Sequence, residues 1–196
     1  MKRCFNVGVV LLASAAVIQA SLAVTAQGRS ISALEQSYLQ KAIEGQQAEV
    51  ALGQLAVQKA SSDQVKQYGA RMIQDHQRTS EKLQKLMSQE GAREIGELSM
   101  AHQQIQRMLS ELSGKDFDRA YMAFMVRDHT TDLDEWQQRA QTVPDAGIDH
   151  WMAALLPVLK NHLEEARAIA AAIGVTAGDR AKVEEATSPS HPLRSR

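Results

Sequence analysis

The chain has 196 residues, 44% of them hydrophobic, 23% charged and 4% aromatic, with 22 Lys plus Arg against 23 Asp plus Glu. A formal charge of −1 gives no footprint for nucleic acid, whose binders carry a basic surplus. With 4 prolines and 11 glycines among abundant Ala, Gln, Leu, Glu and Lys, the composition argues against a disordered, collagenous or β-rich chain.

Lys2 and Arg3 precede an apolar run from Val7 to about Ala20, and Ala23 to Ala26 supplies small residues for cleavage before Gln27. This three-part pattern predicts a signal peptide over residues 1–26 and export to the periplasm or another part of the cell envelope. The run is shorter than the roughly 20 apolar residues of a spanning helix, so cleavage is favoured over retention as an anchor. Cys4, the only cysteine, lies beside the basic start of the signal. The predicted mature chain thus has no thiol, and its 20 basic residues against 23 acids give a net charge of −3. No later segment is apolar enough to span a membrane.

A first helix is expected from Ser32 to Ala60, with Leu34, Tyr38, Ala42, Leu52 and Ala56 at near-helical spacing. Ser61-Ser62-Asp63 breaks it and supplies an N-cap for a second helix, which carries Val65, Met72, Leu83 and Leu86 and ends near Gly91. Leu98, Ile105, Leu109 and Leu112 suggest a short connecting helix before Ser113-Gly114. A third long helix follows from about Lys115 to Gln141, with Phe117, Tyr121, Phe124, Met125, Leu133 and Trp136. After a turn at Val143 to Gly147, the fourth runs from about Ile148 to Ile173 and is organised by Trp151, Leu155, Val158 and Ile169. The polar segment 175–196, with Pro189 and Pro192, reads as a disordered tail.

The fold class is therefore all-α: four helices about 37 Å long around a core contributed by residues 27–174. The connection from Gln89 to Gly114 is long enough to cross the bundle, and a simple up-and-down order is the alternative. Gly45, Gly53 and Gly69, inside helices, are read as points of close helix approach. Pro157, inside the fourth helix, is expected to bend it around the core.

Each long helix carries one ionisable side chain on its apolar stripe. Glu49 is in line with Ala42, Leu52 and Ala56; His76 with Val65, Met72 and Leu83; His129 with Met125 and Leu133; His162 with Val158 and Ala166. All four lie within about 10 Å of their helix midpoints, so they converge near the bundle centre. One Glu and three His in that setting form a candidate site for a transition metal such as zinc, iron or copper. Asp132 and Glu165 follow His129 and His162 by three residues and are candidates to add an oxygen or orient a ring. Met72 and Met125, one turn before their histidines, would suit copper, although such Met residues are more often core filler. Asp75 and Asp128 are turned about 100° away from the neighbouring histidines, toward other neighbours or solvent. His102, His150 and His191 receive no role. The pentapeptides Met72 to His76 and Met125 to His129 echo one another, too briefly to establish a duplication. No phosphate-binding glycine loop, HExxH or GxSxG motif is present, and nothing names a reaction.

The run Ala48 to Ala56, Val65-Lys66-Gln67-Tyr68 through Met72 to Asp75-His76, Phe117 to Met122 with Asp128-His129, and Leu156-Pro157 through His162-Leu163 resemble exported bacterial proteins carrying domain of unknown function 4142. The resemblance covers about Leu34 to Ile173. It implies a ferritin-like four-helix bundle with a short extra helix between long helices two and three, and its motif residues fall on Glu49, His76, His129 and His162. The chain lacks the paired Glu-x-x-His motifs of ferritins, so the resemblance does not extend to ferroxidase chemistry.

Two readings remain. In one, the four residues bind a metal ion in metal handling or oxidative-stress defence. In the other, they form a hydrogen-bonded core network in a non-catalytic structural or stress-associated envelope protein.

Overall fold

The computed structural model of the protein describes residues 32–92, 97–139 and 146–188. The expected signal peptide, Cys4, most of the Val143 to Gly147 turn and His191 lie outside them. The described residues form six helices: α1 (Ala33–Lys59), α2 (Asp63–Glu90), α3 (Met100–Ser110), α4 (Gly114–Arg139), α5 (Ala146–Ala172) and α6 (Ala177–Ala186). They make an all-α helical bundle, and among them none is long and apolar enough to cross a membrane.

Local chemistry sets the helix ends. Ser32 and Glu35 close a reciprocal capping box at the start of α1: the Glu35 N–H donates to Ser32 Oγ, and the Ser32 N–H donates to Glu35 Oε2 at 2.7 Å. Gly91 ends α2 with φ 69°, a left-handed conformation that glycine adopts without a Cβ clash. The start of α2 departs from the sequence expectation. Ser62 occupies the N-cap position, but its side chain makes no capping bond. The buried Asp118 carboxylate of α4 instead accepts the N–H groups of Ser61 and Ser62, each at 3.0 Å, and the Ser61 hydroxyl. A cap supplied from 56 residues away leaves no local signature.

Ala60, between α1 and α2, forms a parallel bridge with Gly114, the first residue of α4. Thus α2 and α4 start at the same end of the bundle, and the connection containing α3 returns along its length. The two apolar clusters show the same order. One contains Leu39, Ala42, Leu83, Trp136, Met152 and Leu159; the other contains Leu52, Ala56, Val65, Met72, Phe117, Tyr121, Met125 and Ala166. Along α1 and α5 the chain passes from the first cluster to the second, whereas α2 and α4 run the opposite way. Glu49, His76, His129 and His162 all fall between the two, so one polar layer divides the apolar core.

Gly53 and Gly69 bring α1 and α2 together. A Cβ on Gly53 would stand 2.7 Å from the Gly69 carbonyl oxygen, and one on Gly69 would stand 2.6 Å from Ala56 Cβ. Gly45 corrects the expectation of close approach, because a Cβ there meets nothing within 4 Å. Leu34, expected on the apolar stripe, is exposed. Helix α5 runs through Pro157.

The C-terminal segment is not a structureless tail throughout. Thr176 and Asp179 form a second capping box, and α6 buries Val183 against the cluster that contains Phe117 and Tyr121. A polar ten-residue helix with one apolar anchor has almost no periodic signal, so composition alone misassigns it.

Candidate metal centre

His76, His129 and His162 come from α2, α4 and α5, are 3%, 1% and 1% exposed, and meet in one group. One ring nitrogen of each lies within 4.8 Å of those of the other two. Their ring centroids are 5.9, 5.3 and 5.5 Å apart for the pairs 76–129, 76–162 and 129–162.

Each ring is anchored through one of its nitrogens. His76 Nδ1 lies 2.8 Å from Gln46 Oε1 on α1, His129 Nδ1 lies 3.1 Å from the Met125 carbonyl, and His162 Nε2 lies 3.0 Å from Asp75 Oδ2. These acceptors assign a proton to each engaged nitrogen and a lone pair to the opposite one. The opposite atoms, His76 Nε2, His129 Nε2 and His162 Nδ1, are buried without a hydrogen-bond partner. Burial is the leading cause that lowers the basicity of all three rings. It holds His129 down at about 4, and mutual repulsion among the rings adds to the effect at His76. All three are therefore neutral near pH 7, as nitrogen ligands must be.

Glu49 joins through His129. An oxygen of Glu49, an oxygen of Asp128 and a ring nitrogen of His129 lie within 4.8 Å of one another. Glu49 is 4% exposed; no donor N–H or hydroxyl meets its oxygens, and its carboxyl faces that of Asp128, so a proton on Glu49 is shared with the Asp128 carboxylate. Burial and then the Asp128 charge push its carboxyl well above the usual range. The four expected residues thus occupy one layer, with Glu49 at the side formed by α1 and α4.

Asp75 turns toward other neighbours, as expected, and three other residues depart from the sequence reading. Asp75 accepts from His162, so it orients a ring of the cluster. Asp128 belongs to the Glu49 group. Glu165 does not reach His162 but pairs with Arg71 at 2.6 Å. His102, without a role in the sequence reading, bridges Glu44 of α1 at 2.6 Å and Asp128 of α4 at 3.8 Å. Burial opposes its charge, but hydrogen bonds to Asp128 and Glu44 outweigh that and raise it to about 10. The echo between Met72–His76 and Met125–His129 has a structural counterpart in its Asp-His pair. Asp75 precedes His76 and holds His162; Asp128 precedes His129 and holds His102. Each aspartate engages a histidine of another helix, which periodicity within one helix cannot reveal.

Asp132 is half-buried and raised to about 7, by burial first and then by Asp128. Met72 and Met125 are fully buried in the apolar cluster, and it is the Met125 carbonyl that reaches His129. His150 is exposed. A surface pocket of about 200 Å³, lined in part by Arg71, Asp75, Arg78, Lys82 and His162, reaches the layer from the α2–α5 side.

No curated protein and no solved structure matches the chain. A family model does, over residues 20–169, which include all four long helices up to Ile169 and every residue of the polar layer. The chain belongs to the family defined by that domain of unknown function (DUF4142).

Proposed function

We propose that the protein is an exported ferritin-like bundle that binds one transition-metal ion at His76, His129 and His162, with Glu49, beside His129, as an oxygen ligand. The observation that carries this reading is the set of three unpartnered, buried ring nitrogens, each opposite an anchored one. A ligating histidine characteristically donates its other N–H to a carboxylate, carbonyl or similar acceptor. A hydrogen-bonded core network would pair the inner nitrogens with donors, and none has one. Three imidazoles and a carboxylate suit zinc or iron(II), and imidazole also suits copper. The parallel start of α2 and α4, with a connection returning along the bundle, supports the ferritin-like reading. The pattern of residues 1–26 supports export. Metal handling or oxidative-stress defence is the role this centre would serve.

Protein recovered without a histidine tag, analysed by elemental mass spectrometry, tests the site. Near-stoichiometric metal that disappears in the His76→Ala, His162→Ala double variant is the expected result. A metal-free protein that takes up no zinc, copper, iron or manganese would leave the structural reading in its place.

A further inference from the structure

Helix α6 packs against α4, and with the end of α5 the two enclose a surface groove of two adjoining hollows. The hollows share Ala123, Val126 and Arg180. One, of about 250 Å³, is completed by Ala170, Ala171, Val175 and Arg167. The other, of about 330 Å³, is completed by Arg127, Thr130, Thr131 and Glu184. Arg127 donates to Thr187 Oγ1, and Arg167 donates across the groove to Thr130 Oγ1 at 3.4 Å. Hydroxyl acceptors place a guanidinium without neutralising it. Arg180 has no side-chain partner, and no carboxylate among the described residues pairs with any of the three. Elsewhere Arg71 holds Glu165, Arg119 holds Asp116 and Arg139 holds Glu135. Glu184, one turn from Arg180, lines the polar hollow without closing an ion pair. Three exposed arginines that keep their charge thus meet an apolar floor.

We propose that this groove binds a small amphipathic monoanion of the class of a medium-chain fatty acid. Its carboxylate lies among Arg127, Arg167 and Arg180, and its chain lies over Ala170, Ala171 and Val175. The planar fork of arginine matches a carboxylate in a way that a point charge does not. The apolar hollow removes part of the chain from water, and the hollows are of the size that suits a small ligand. Glu184 leaves one negative charge at the polar end, which selects against a doubly charged head such as phosphate.

Calorimetric titration of the full chain with decanoate, below its micelle-forming concentration, tests the site. Saturable binding is expected, about tenfold or more tighter than that of decanol, which lacks the charge, or of inorganic phosphate, which lacks the chain. The Arg127→Gln, Arg180→Gln double variant should bind decanoate about tenfold or more weakly. Ala171→Leu, which fills the apolar hollow, should weaken it similarly, whereas Glu184→Gln should tighten it. All four positions are exposed, so the variants should fold, and their thermal unfolding checks this. No saturable binding of decanoate, or binding unchanged in both the arginine and the Ala171→Leu variants, would overturn the site. Phosphate binding as tightly as decanoate would assign the arginines to a bare anion, and tighter binding of hexaglutamate would assign them to an acidic protein segment. Either result would also overturn it, and none of these outcomes touches the metal reading.

Discussion

His162 donates through Nε2 to Asp75 at 3.0 Å, leaving Nδ1 as the nitrogen with a buried, unshared lone pair. The choice of nitrogen is thus made by an aspartate on another helix. Asp75→Ala frees the ring to rotate and take the other tautomer, so metal affinity should fall by about 10- to 100-fold. Asp75→Asn keeps an acceptor oxygen and should lose less. Competition against a chromophoric chelator measures both, and equal affinity for wild type and Asp75→Ala would show that the aspartate orients nothing of consequence.

Asp118 links α4 to the start of α2. Its carboxylate accepts two backbone N–H groups and a hydroxyl while itself 3% exposed. Asp118→Ala would leave those donors without their acceptor at a helix start that has no side-chain cap of its own. A loss of about 2–3 kcal/mol is expected, larger than that of an ordinary exposed cap. Urea unfolding gives the value, and a change below about 0.5 kcal/mol would mean that solvent or Ser62 replaces the aspartate.

The glycines separate two uses of the same residue. Gly45→Ala should stabilise the protein by about 0.5–1 kcal/mol, because alanine is the better helix former and its methyl group meets nothing. Gly53→Ala and Gly69→Ala gain the same propensity but drive a methyl group to 2.7 and 2.6 Å from the facing helix. They should therefore destabilise by about 1–3 kcal/mol. Thermal unfolding of the three variants decides the matter by sign; a destabilising Gly45→Ala would contradict the open face of α1.

Much of this arrangement was legible in the chain. The stripes that hold Val65, Met72 and Leu83, or Phe117, Tyr121 and Met125, repeat at helical period, so the long helices and the convergence of the three histidines follow from spacing within each helix. Asp118 capping α2, Asp75 holding His162 and His102 bridging α1 to α4 are contacts between helices. Their spacing in sequence depends on loop length and crossing direction, which no periodic pattern records. Helix α6 escaped because one buried side chain, Val183, anchors it; Gly45 was misread because a helix sequence does not say which of its small residues faces a neighbour.

His102 and His129 should respond to pH with opposite sign. Burial lowers the basicity of His102, but hydrogen bonds to Asp128 and Glu44 outweigh it and raise the ring to about 10 from its ordinary 6.5. Its proton therefore favours the folded state: the contribution is complete below about pH 6.5 and is lost as pH rises through about 10. Burial holds His129 down at about 4, so its contribution is present above about pH 6.5 and is lost as pH falls toward about 4. His102→Gln keeps a polar side chain but cannot carry the charge. In chelator-treated protein, the stability gap between wild type and His102→Gln should be on the order of a few kcal/mol near neutral pH and should close above about pH 10. The acid limb should remain in the variant, because the three buried imidazoles are still there to resist protonation. Urea titrations of both proteins across that range provide the measurement. A gap that persisted undiminished above about pH 10 would show that His102 stabilises α3 by packing against Phe124, whose ring centroid is 6.4 Å away, and not by its charge.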